Sequence, residues 1–419
     1  MKIYSKYLIV LIAIISFSSF IPYFYSIIFA KSHNKDVVSY SEIIDDFVIR
    51  TFTANREILY TDKAGNSYSY TEFKALLPQV YTKDLLLTNE YSEIINGKII
   101  SAEDMVLKNF YFSVRPKIIS DDKIRIRLMP IFNTLDTSAN LEMPLELARI
   151  GKDITFINAR TRKINHEKSE LFTNKLKQEG FLFPVKLDGS NPDARKPFDA
   201  GLFLIDSKNE LYRLYMVKGE PMVEKYKDSI KDYNISLIAI NENKYADYYG
   251  YMISDNGSVL FINNNKTISK LVVDGYNTLK DEIRININPL HILVTLIRAD
   301  SQQVMLYNKN NEFIKSYQVN IESNMNPYAE KVFNIIFPYY LYNDSNTAED
   351  YLKIEFSKTL LLAFIFSLFL ALIYFFMCYK WQNLSKVNII DILIIICSGI
   401  YGFIALLLLQ NFKRDRLWE

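Results

Sequence analysis

Three stretches of this chain run without a single charged side chain, and their lengths constrain the fold more than any other feature. Residues 7–30 (YLIVLIAIISFSSFIPYFYSIIFA) lie between Lys6 and Lys31, and residues 359–379 (TLLLAFIFSLFLALIYFFMCY) between Lys358 and Lys380. Residues 392–410 (ILIIICSGIYGFIALLLLQ) follow directly on Asp391. About 20 apolar residues at 1.5 Å rise cover the ~30 Å hydrocarbon core of a bilayer. The first stretch exceeds the ~7–15 apolar residues of a secretory signal, and Phe29-Ala30-Lys31 is a poor cleavage site. It is therefore read as a retained anchor, and the chain as an integral membrane protein.

Charge excludes some partners. The 419 residues are 49% hydrophobic, with 49 basic and 47 acidic side chains. That balance is neither that of a disordered tail nor, with the segment between the anchors slightly acidic, the footprint of a nucleic-acid binder. Both cysteines, Cys378 and Cys397, fall in the apolar stretches, so the large domain has no disulfide or thiolate chemistry.

Positive residues near the membrane do not agree on sidedness. With the N-terminus inside, Lys2, Lys6, Lys380 and Lys386 are cytoplasmic, while Lys31, Lys35, Lys353, Lys358 and the tail residues Lys413, Arg414 and Arg416 are outside. The bare tally favours the reverse. The first helix usually dominates, however, and long domains translocate largely regardless of charge. An extracytoplasmic domain is the expectation, in a multi-pass protein of a bacterial inner (cytoplasmic) membrane.

The large domain reads as mainly β with minor α. Residues 40–52 (YSEIIDDFVIRTF) suggest a helix with Ser41 as N-cap. Residues 166–179 suggest a second, with Asn165 as N-cap, Leu171, Phe172 and Leu176 on one face and Gly180 as the stop. The remainder is short runs of β-branched and aromatic residues broken by Asn, Asp and Gly. Residues 201–215, 250–262 and 294–307 each read as an apolar run, an aspartate (Asp206, Asp255, Asp300), a polar turn and a second apolar run. A further strand follows each (221–225, 269–273, 313–319), and another precedes the second and third (235–240, 282–288). Four strands per ~45–50 residues is the spacing of propeller blades; a row of antiparallel hairpins gives the same spacing. Three units are too few for a ring, and the hairpin at 58–73, with Asp62 and Gly65 at its turn, is a candidate displaced fourth. Residues 56–87 also contain TEFKALLP, a short amphipathic piece ended by Pro78. The expected layout is an anchor at 1–30, an irregular α+β part at 31–195 and propeller-like repeats at 196–325. An aromatic connector (326–358) follows, then membrane helices at 359–379 and 387–410 and a basic tail at 411–419. Residues 188–197 (DGSNPDARKP) read as the polar loop separating the two halves. The aromatic connector suits an interfacial belt and equally a helix packed on the domain base.

No catalytic, cofactor or metal site emerges. There is no GxSxG, HExxH, GxGxxG or EF-hand loop, and Gly151-Lys152-Asp153 lacks the rest of a phosphate loop. His33, His166 and His291 are far apart, and each reads as a surface or capping residue. Asp188, Ser190 and Asp193 offer oxygens but no bidentate Glu at calcium-site spacing. The repeat aspartates read as turn formers; the sharper alternative is a shared ligand ring. Asp391 reads as interfacial, snorkelling from the start of its helix, and Gly399 and Gly402 as small residues admitting a neighbouring helix.

The order of one span, a β-rich domain and a terminal pair of spans, with the segment 196–223 (KPFDAGLFLIDSKNELYRLYMVKGEPMV), resembles an uncharacterised family of bacterial membrane-anchored envelope proteins. That resemblance implies genes beside ABC-transporter components, no established activity and no functional residues to carry over. The resulting expectation is a non-enzymatic accessory or membrane subunit of an ABC-type envelope transport system. Its partners would be the lipid bilayer and the ATPase and permease subunits. Mechanotransmitting subunits share the order but have three spans after the domain, where this chain has two. The alternatives are a membrane-anchored sensor or scaffold, and a carbohydrate-active enzyme with carboxylates that sequence does not pair.

Overall fold

The computed structural model describes residues 2–133, 141–342, 352–382 and 388–411. Helix α1 (Lys2–Ile28) leads into an antiparallel sheet of β1 (Lys35–Ser41), β2 (Asp46–Phe52) and β3 (Ile58–Asp62). The helix expected over 40–52 is thus a hairpin. Phe47, Val48 and Ile49 are all buried, which a strand achieves by alternating between two covered faces. The chain reverses before Asp46 through Asp45 at φ 53°, and Ser41, far from capping a helix, donates its hydroxyl to the Leu76 carbonyl at 2.6 Å. The turn expected at Asp62 and Gly65 is present, with the Asp62 carboxylate accepting from the Asn66 backbone at 2.9 Å and from the Tyr68 hydroxyl at 2.8 Å. Its second arm shrinks to one bridge, Thr61 to Ser67.

Helices occupy more of the next segment than expected: α2 (Tyr70–Leu76), α3 (Pro78–Leu87), α4 (Ala102–Leu107) and α5 (Pro116–Ile124), with a two-residue ladder of β4 (Ile94–Ile95) and β5 (Lys98–Ile99) and the strand β6 (Phe110–Val114) between them. Their starts have local causes. Ser69 and Glu72 form a reciprocal capping box and Ser101 caps α4, while Pro78 and Pro116 occupy first-turn positions where no N–H is missed. Pro78 therefore begins a helix as well as ending one. Helices hold 31% of the chain against 33% in strands, the apolar helices at its two ends included, so the domain between them is mainly β as expected.

Four-stranded antiparallel sheets follow in order: β7 (Leu128–Pro130), β8 (Glu146–Ile150), β9 (Ile154–Asn158) and β10 (Ile164–Asn165); then, after α6 (His166–Gln178), β11 (Leu187–Gly189), β12 (Leu202–Ile205), β13 (Leu211–Val217) and β14 (Glu220–Lys225). Next come β15 (Ile235–Ile240), β16 (Tyr248–Ser254), β17 (Val259–Asn263) and β18 (Ile268–Leu271). The last set is β19 (Glu282–Ile287), β20 (Ile292–Ile297), β21 (Ser301–Tyr307) and β22 (Phe313–Asn320), which β6 extends to five strands by pairing with β19. The three hairpins with Asp206, Asp255 and Asp300 are β12–β13, β16–β17 and β20–β21. α6 begins at its Asn165 cap and buries Phe172 and Leu176, while Leu171 is exposed. The boundary placed at 195/196 falls inside the sheet that β11 opens, so 188–197 is not a separating linker.

The sheets stack face to face in a row, because alternate side chains of one strand enter different cores. On β12, Leu202 and Leu204 pack with α6 and the β7–β10 sheet, while Phe203 and Ile205 pack with Ile238 and Met252 of the next sheet. On β17, Leu260 and Ile262 face backward and Val259 and Phe261 face forward, onto Ile283, Val294 and Phe112. On β21, Met305 and Tyr307 take one face, and Val304 and Leu306 meet Val38, Tyr40, Phe47 and Ile49 of the first sheet. The N-terminal hairpin thus covers the last sheet. Among the described residues no cluster joins the two ends of the row, and no closed ring is formed. Sheet packing is tight enough that at Gly189 of β11 a Cβ would press on the Ile238 side chain of the next sheet and sit 2.7 Å from its carbonyl oxygen.

Below the stack lie α7 (Pro327–Ile336) and the hairpin β23 (Tyr339–Tyr342) and β24 (Lys353–Phe356), then α8 (Leu360–Gln382), α9 (Ile389–Ser398) and α10 (Ile400–Asn411). α1 and α8 are long and apolar enough to cross a bilayer. The third expected span is not one helix, for Gly399 (φ 60°, ψ −132°) divides it. Of the basic tail, only Asn411 lies within the described residues.

Burial predicts sensitivity. Phe203→Ala opens a void between two sheets and is expected to cost about 3–5 kcal/mol, read by chemical unfolding of the full chain in detergent. Ile126→Ala, on the surface, is expected to change stability by less than about 0.5 kcal/mol.

Candidate functional site

Apolar helices tolerate a charge only where something compensates it. Lys6, in the second turn of α1, and Asp391, in the first turn of α9, meet with Nζ 3.1 Å from Oδ2 and 3.2 Å from Oδ1. Tyr374 of α8 donates its hydroxyl to Asp391 Oδ2 at 3.1 Å. Asn388 caps α9 by accepting from Ile390 N, and its amide donates to the Tyr7 hydroxyl at 2.7 Å. The first turn of a helix favours a carboxylate through its exposed N–H groups. The Asp391 side chain is 3% exposed and that of Lys6 31%. Asp391 therefore does not snorkel, contrary to the expectation from its position: it is buried where α1, α8 and α9 converge, and the flexible lysine is the partner that reaches outward.

A second junction gathers α7 and the residues after it onto this bundle, next to the point where the chain leaving α1 meets the chain returning from the last sheet, Lys31 N–H donating to the Asn324 carbonyl at 2.8 Å and Ala30 bridging Met325. Gly399 admits a close neighbour, as expected of a small residue, but the neighbour is not a helix alone. A Cβ there would lie 3.0 Å from Pro338 Cδ and Cγ and 3.0 Å from Ser367 Oγ of α8. Gly402 instead faces Ser398 and Ile394 of α9. The Tyr401 hydroxyl donates to the Tyr339 carbonyl at 2.5 Å, and its ring stacks on Phe337. Tyr25 of α1 donates to the Ala329 carbonyl of α7 at 3.0 Å. Asn334 of α7 accepts the Lys358 backbone N–H at 3.1 Å, its carbonyl accepts from Ser357 and Thr359, and Glu330 pairs with Lys358 at 2.8 Å. One short helix thus touches α1, the start of α8 and, through the residues that follow it, α10.

Within the β domain, charges are matched rather than displayed. Asp188 on β11 is fully buried, with Arg125 2.9 Å from Oδ2 and Arg127 3.3 Å from Oδ1; Arg125 also holds Asp122 at 2.6 Å. Burial pushes the Asp188 carboxyl above its usual range despite the pull of both guanidiniums. Lys196 is buried with Asp199 at 2.5 Å and Glu242 at 3.0 Å, donates to the Asn191 carbonyl, and lies over the Phe132 ring. Glu42 meets His291 Nδ1 at 2.9 Å, and Asn288 lies 3.2 Å from Nε2. Burial opposes ionisation of Glu42, but His291, Asn96 and Lys98 together outweigh it and hold the carboxyl below its ordinary value.

The other expected ligands stay apart. Asp193 is a surface residue whose carboxylate accepts from the Arg195 backbone, and Ser190 and Asp188 do not join it. Asp206 accepts from the Lys208 and Glu210 backbones inside its own turn, Asp255 pairs with Ser236 and Asn234, and Asp300 accepts from Ser301. The partners of His291 are Glu42 and Asn288, not His33 or His166, and Gly151 closes a tight turn onto the Asp153 carbonyl. Among the described residues no three His, Cys, Asp or Glu side chains gather to hold a metal. Cys378 is buried in α8 and Cys397 exposed on α9, both free. A cavity of about 370 Å³ opens beside β16, its lining including Phe198, Asn243, Lys244, Tyr248, Tyr249 and Asn264.

A family model matches residues 37–308, more than half of the chain. The chain belongs to that family, DUF4857, a domain of unknown function. No curated protein matches it. The DUF4857 match begins in β1 and ends one residue past β21, so it takes in Asp188, Lys196, Glu242 and the Glu42–His291 pair. The Lys6–Asp391 bundle and α7 lie outside it. Sequence reasoning missed most of these pairings because they join residues distant along the chain; Lys196 and Asp199, three residues apart, are the exception. For Lys6 and Asp391 a signal existed: opposite charges bordering two uncharged stretches have each other as the least costly partners.

Two outcomes follow. Lys6→Met leaves Asp391 buried without its counter-charge and lowers thermal stability in detergent more than Asp391→Leu, which leaves a lysine able to reach water. The double variant recovers much of the Lys6→Met loss; strictly additive losses would refute the pairing. For Glu42 the sign is that of a depressed carboxyl. Its contribution is whole above the ordinary glutamate range and is lost as pH falls below it, so Glu42→Gln flattens the acid limb of a stability-against-pH profile.

Proposed function

We propose that the chain is a non-enzymatic, multi-pass protein of a bacterial cytoplasmic membrane, with its DUF4857 domain outside and binding a partner or ligand. We further propose that it serves as an accessory or membrane subunit of an ABC-type transport system. The observation that carries this reading is the junction at α7. A domain that needs only tethering is served by one span and a loose linker. Here Ala329, Asn334, Glu330, Pro338 and Tyr339, on the segment that follows the last sheet, bind to α1, the start of α8 and α10 at once, and the two chain connections to the domain are paired at Lys31–Asn324 and Ala30–Met325. Paired connections ending on one bundle suit a subunit that couples an outer event to membrane partners. The cavity beside β16, with tyrosines, amides and Lys244 in its lining, offers a ligand apolar, hydrogen-bonding and cationic surface.

Mild-detergent purification of the tagged full chain from its native membrane, with identification of all partners, tests the proposal. Stoichiometric recovery of an ATP-binding cassette subunit is expected, and its loss in a Gly399→Val variant that still accumulates would tie the partnership to the junction. Recovery of the protein alone, or with cell-wall partners only, would overturn the transport reading in favour of an anchored sensor or scaffold.

A further inference from the structure

The β23–β24 hairpin has two unlike faces. Its register pairs Tyr339 with Phe356 and Leu341 with Ile354, and directly opposed residues share a face. On that face Tyr339 packs edge-on against Tyr401 of α10, so the face is turned toward the helix bundle. Yet Ile354 and Phe356 are each 60% exposed, and Leu352, next in the same alternation, is 56% exposed. On the other face Tyr340 packs against Phe333 of α7. The exposed row is continuous with two other apolar surfaces. Phe356 precedes Leu360, the first residue of α8, by four positions, roughly 13 Å of chain at most, and Leu360, Leu361 and Leu362 are exposed. At the exit of α1, Ile28 and Phe29 are exposed, and Ala30 bridges to Met325 just ahead of α7, whose Tyr328 and Val332 are exposed in turn.

We propose that this hairpin and the Tyr328 flank of α7 form a foot lying in the headgroup–acyl boundary of the bilayer, with lipid as the occupant of the exposed face. The proposal rests on the membrane reading of α1 and α8 and extends it. The chain enters the hydrocarbon core within a few residues of Phe356, so this face lies at the depth where the bilayer surface must be. Alternating large apolar residues, a set of tyrosines (Tyr328, Tyr339, Tyr340) and the Lys358–Glu330 pair at the margin match the chemistry of that boundary. The foot holds the DUF4857 domain at a fixed height and tilt, instead of letting it swing on its anchors.

The test uses the full chain with Trp381 and Trp418 replaced by Phe, reconstituted in phosphatidylcholine vesicles whose acyl chains are brominated at a shallow position. Single tryptophans are placed by Ile354→Trp, Phe356→Trp and Tyr328→Trp, with Phe369→Trp on the exposed side of α8 and Ile126→Trp on the domain surface as references. Blue-shifted, bromine-quenched emission is expected at the three foot positions and at 369, and none at 126. Quenching at 369 with none at the foot would overturn the foot and leave the membrane reading standing. Absence of quenching at every position, 369 included, would overturn the membrane reading itself. Blue-shifted but unquenched emission at the foot would mean a protein surface covers it, and would likewise overturn the proposal.

Discussion

Every inner sheet of the stack is covered on both faces, and this two-sided burial governs the rest of the molecule. A strand in such a position must be apolar at consecutive residues, as β12 and β17 are. Polar side chains are consequently displaced to turns and strand ends. The Asp206 turn shows how that is managed: its carboxylate satisfies three backbone N–H groups, at Leu182, Lys208 and Glu210, that the reversal would otherwise leave unpaired. The last sheet needs its outer face covered as well, and the N-terminal hairpin supplies the cover. Glu42 with His291, and Asp45 with Lys315, fasten it by polar contacts at the rim of an apolar interface.

The charged groups that remain inside are those with opposite partners nearby. Asp188 between two arginines, Lys196 between two carboxylates, and Lys6 on Asp391 follow one rule in three different surroundings. A buried pair of this kind adds little net stability relative to an apolar replacement, but breaking one from a single side is costly. Their main effect is positional. Lys196 ties the loop after β11 to the end of β15, and Lys6 fixes the rotation of α1 against α8 and α9.

Much of the strand layout was legible because turn chemistry and β-branched runs are local. Asp255-Asn256-Gly257 marks a hairpin whatever surrounds it, and Asn165 and Gly180 bracket α6. The 40–52 segment misled because its apolar spacing fits a helix when the segment is considered alone. Only the sheet waiting at Val304 and Leu306 decides for a strand. The short helices between residues 70 and 124 carried readable caps at Ser69, Ser101 and Pro116, overshadowed by the β-rich composition around them. Asp188 looked like a loop residue because Gly189 and Ser190 follow it, whereas it is the middle residue of β11, opposite Leu204. The burial of Asp391 lay beyond local inspection, since its partner is 385 residues away.

Under the proposed membrane placement, that separation has a consequence for assembly. At about 5–20 residues per second of synthesis, Lys6 is made roughly 20–80 s before Asp391 exists. On that placement α1 would spend the interval in the bilayer with an unneutralised cation. A lysine near a helix end can do so, because its long stem lets the ammonium wait among headgroups. An aspartate has no such reach. The chain makes its adaptable charge first and its inflexible one last, so that α9, only ten residues long, arrives to find its counterion already in place. The first helix acts, in effect, as the receptor for the last pair.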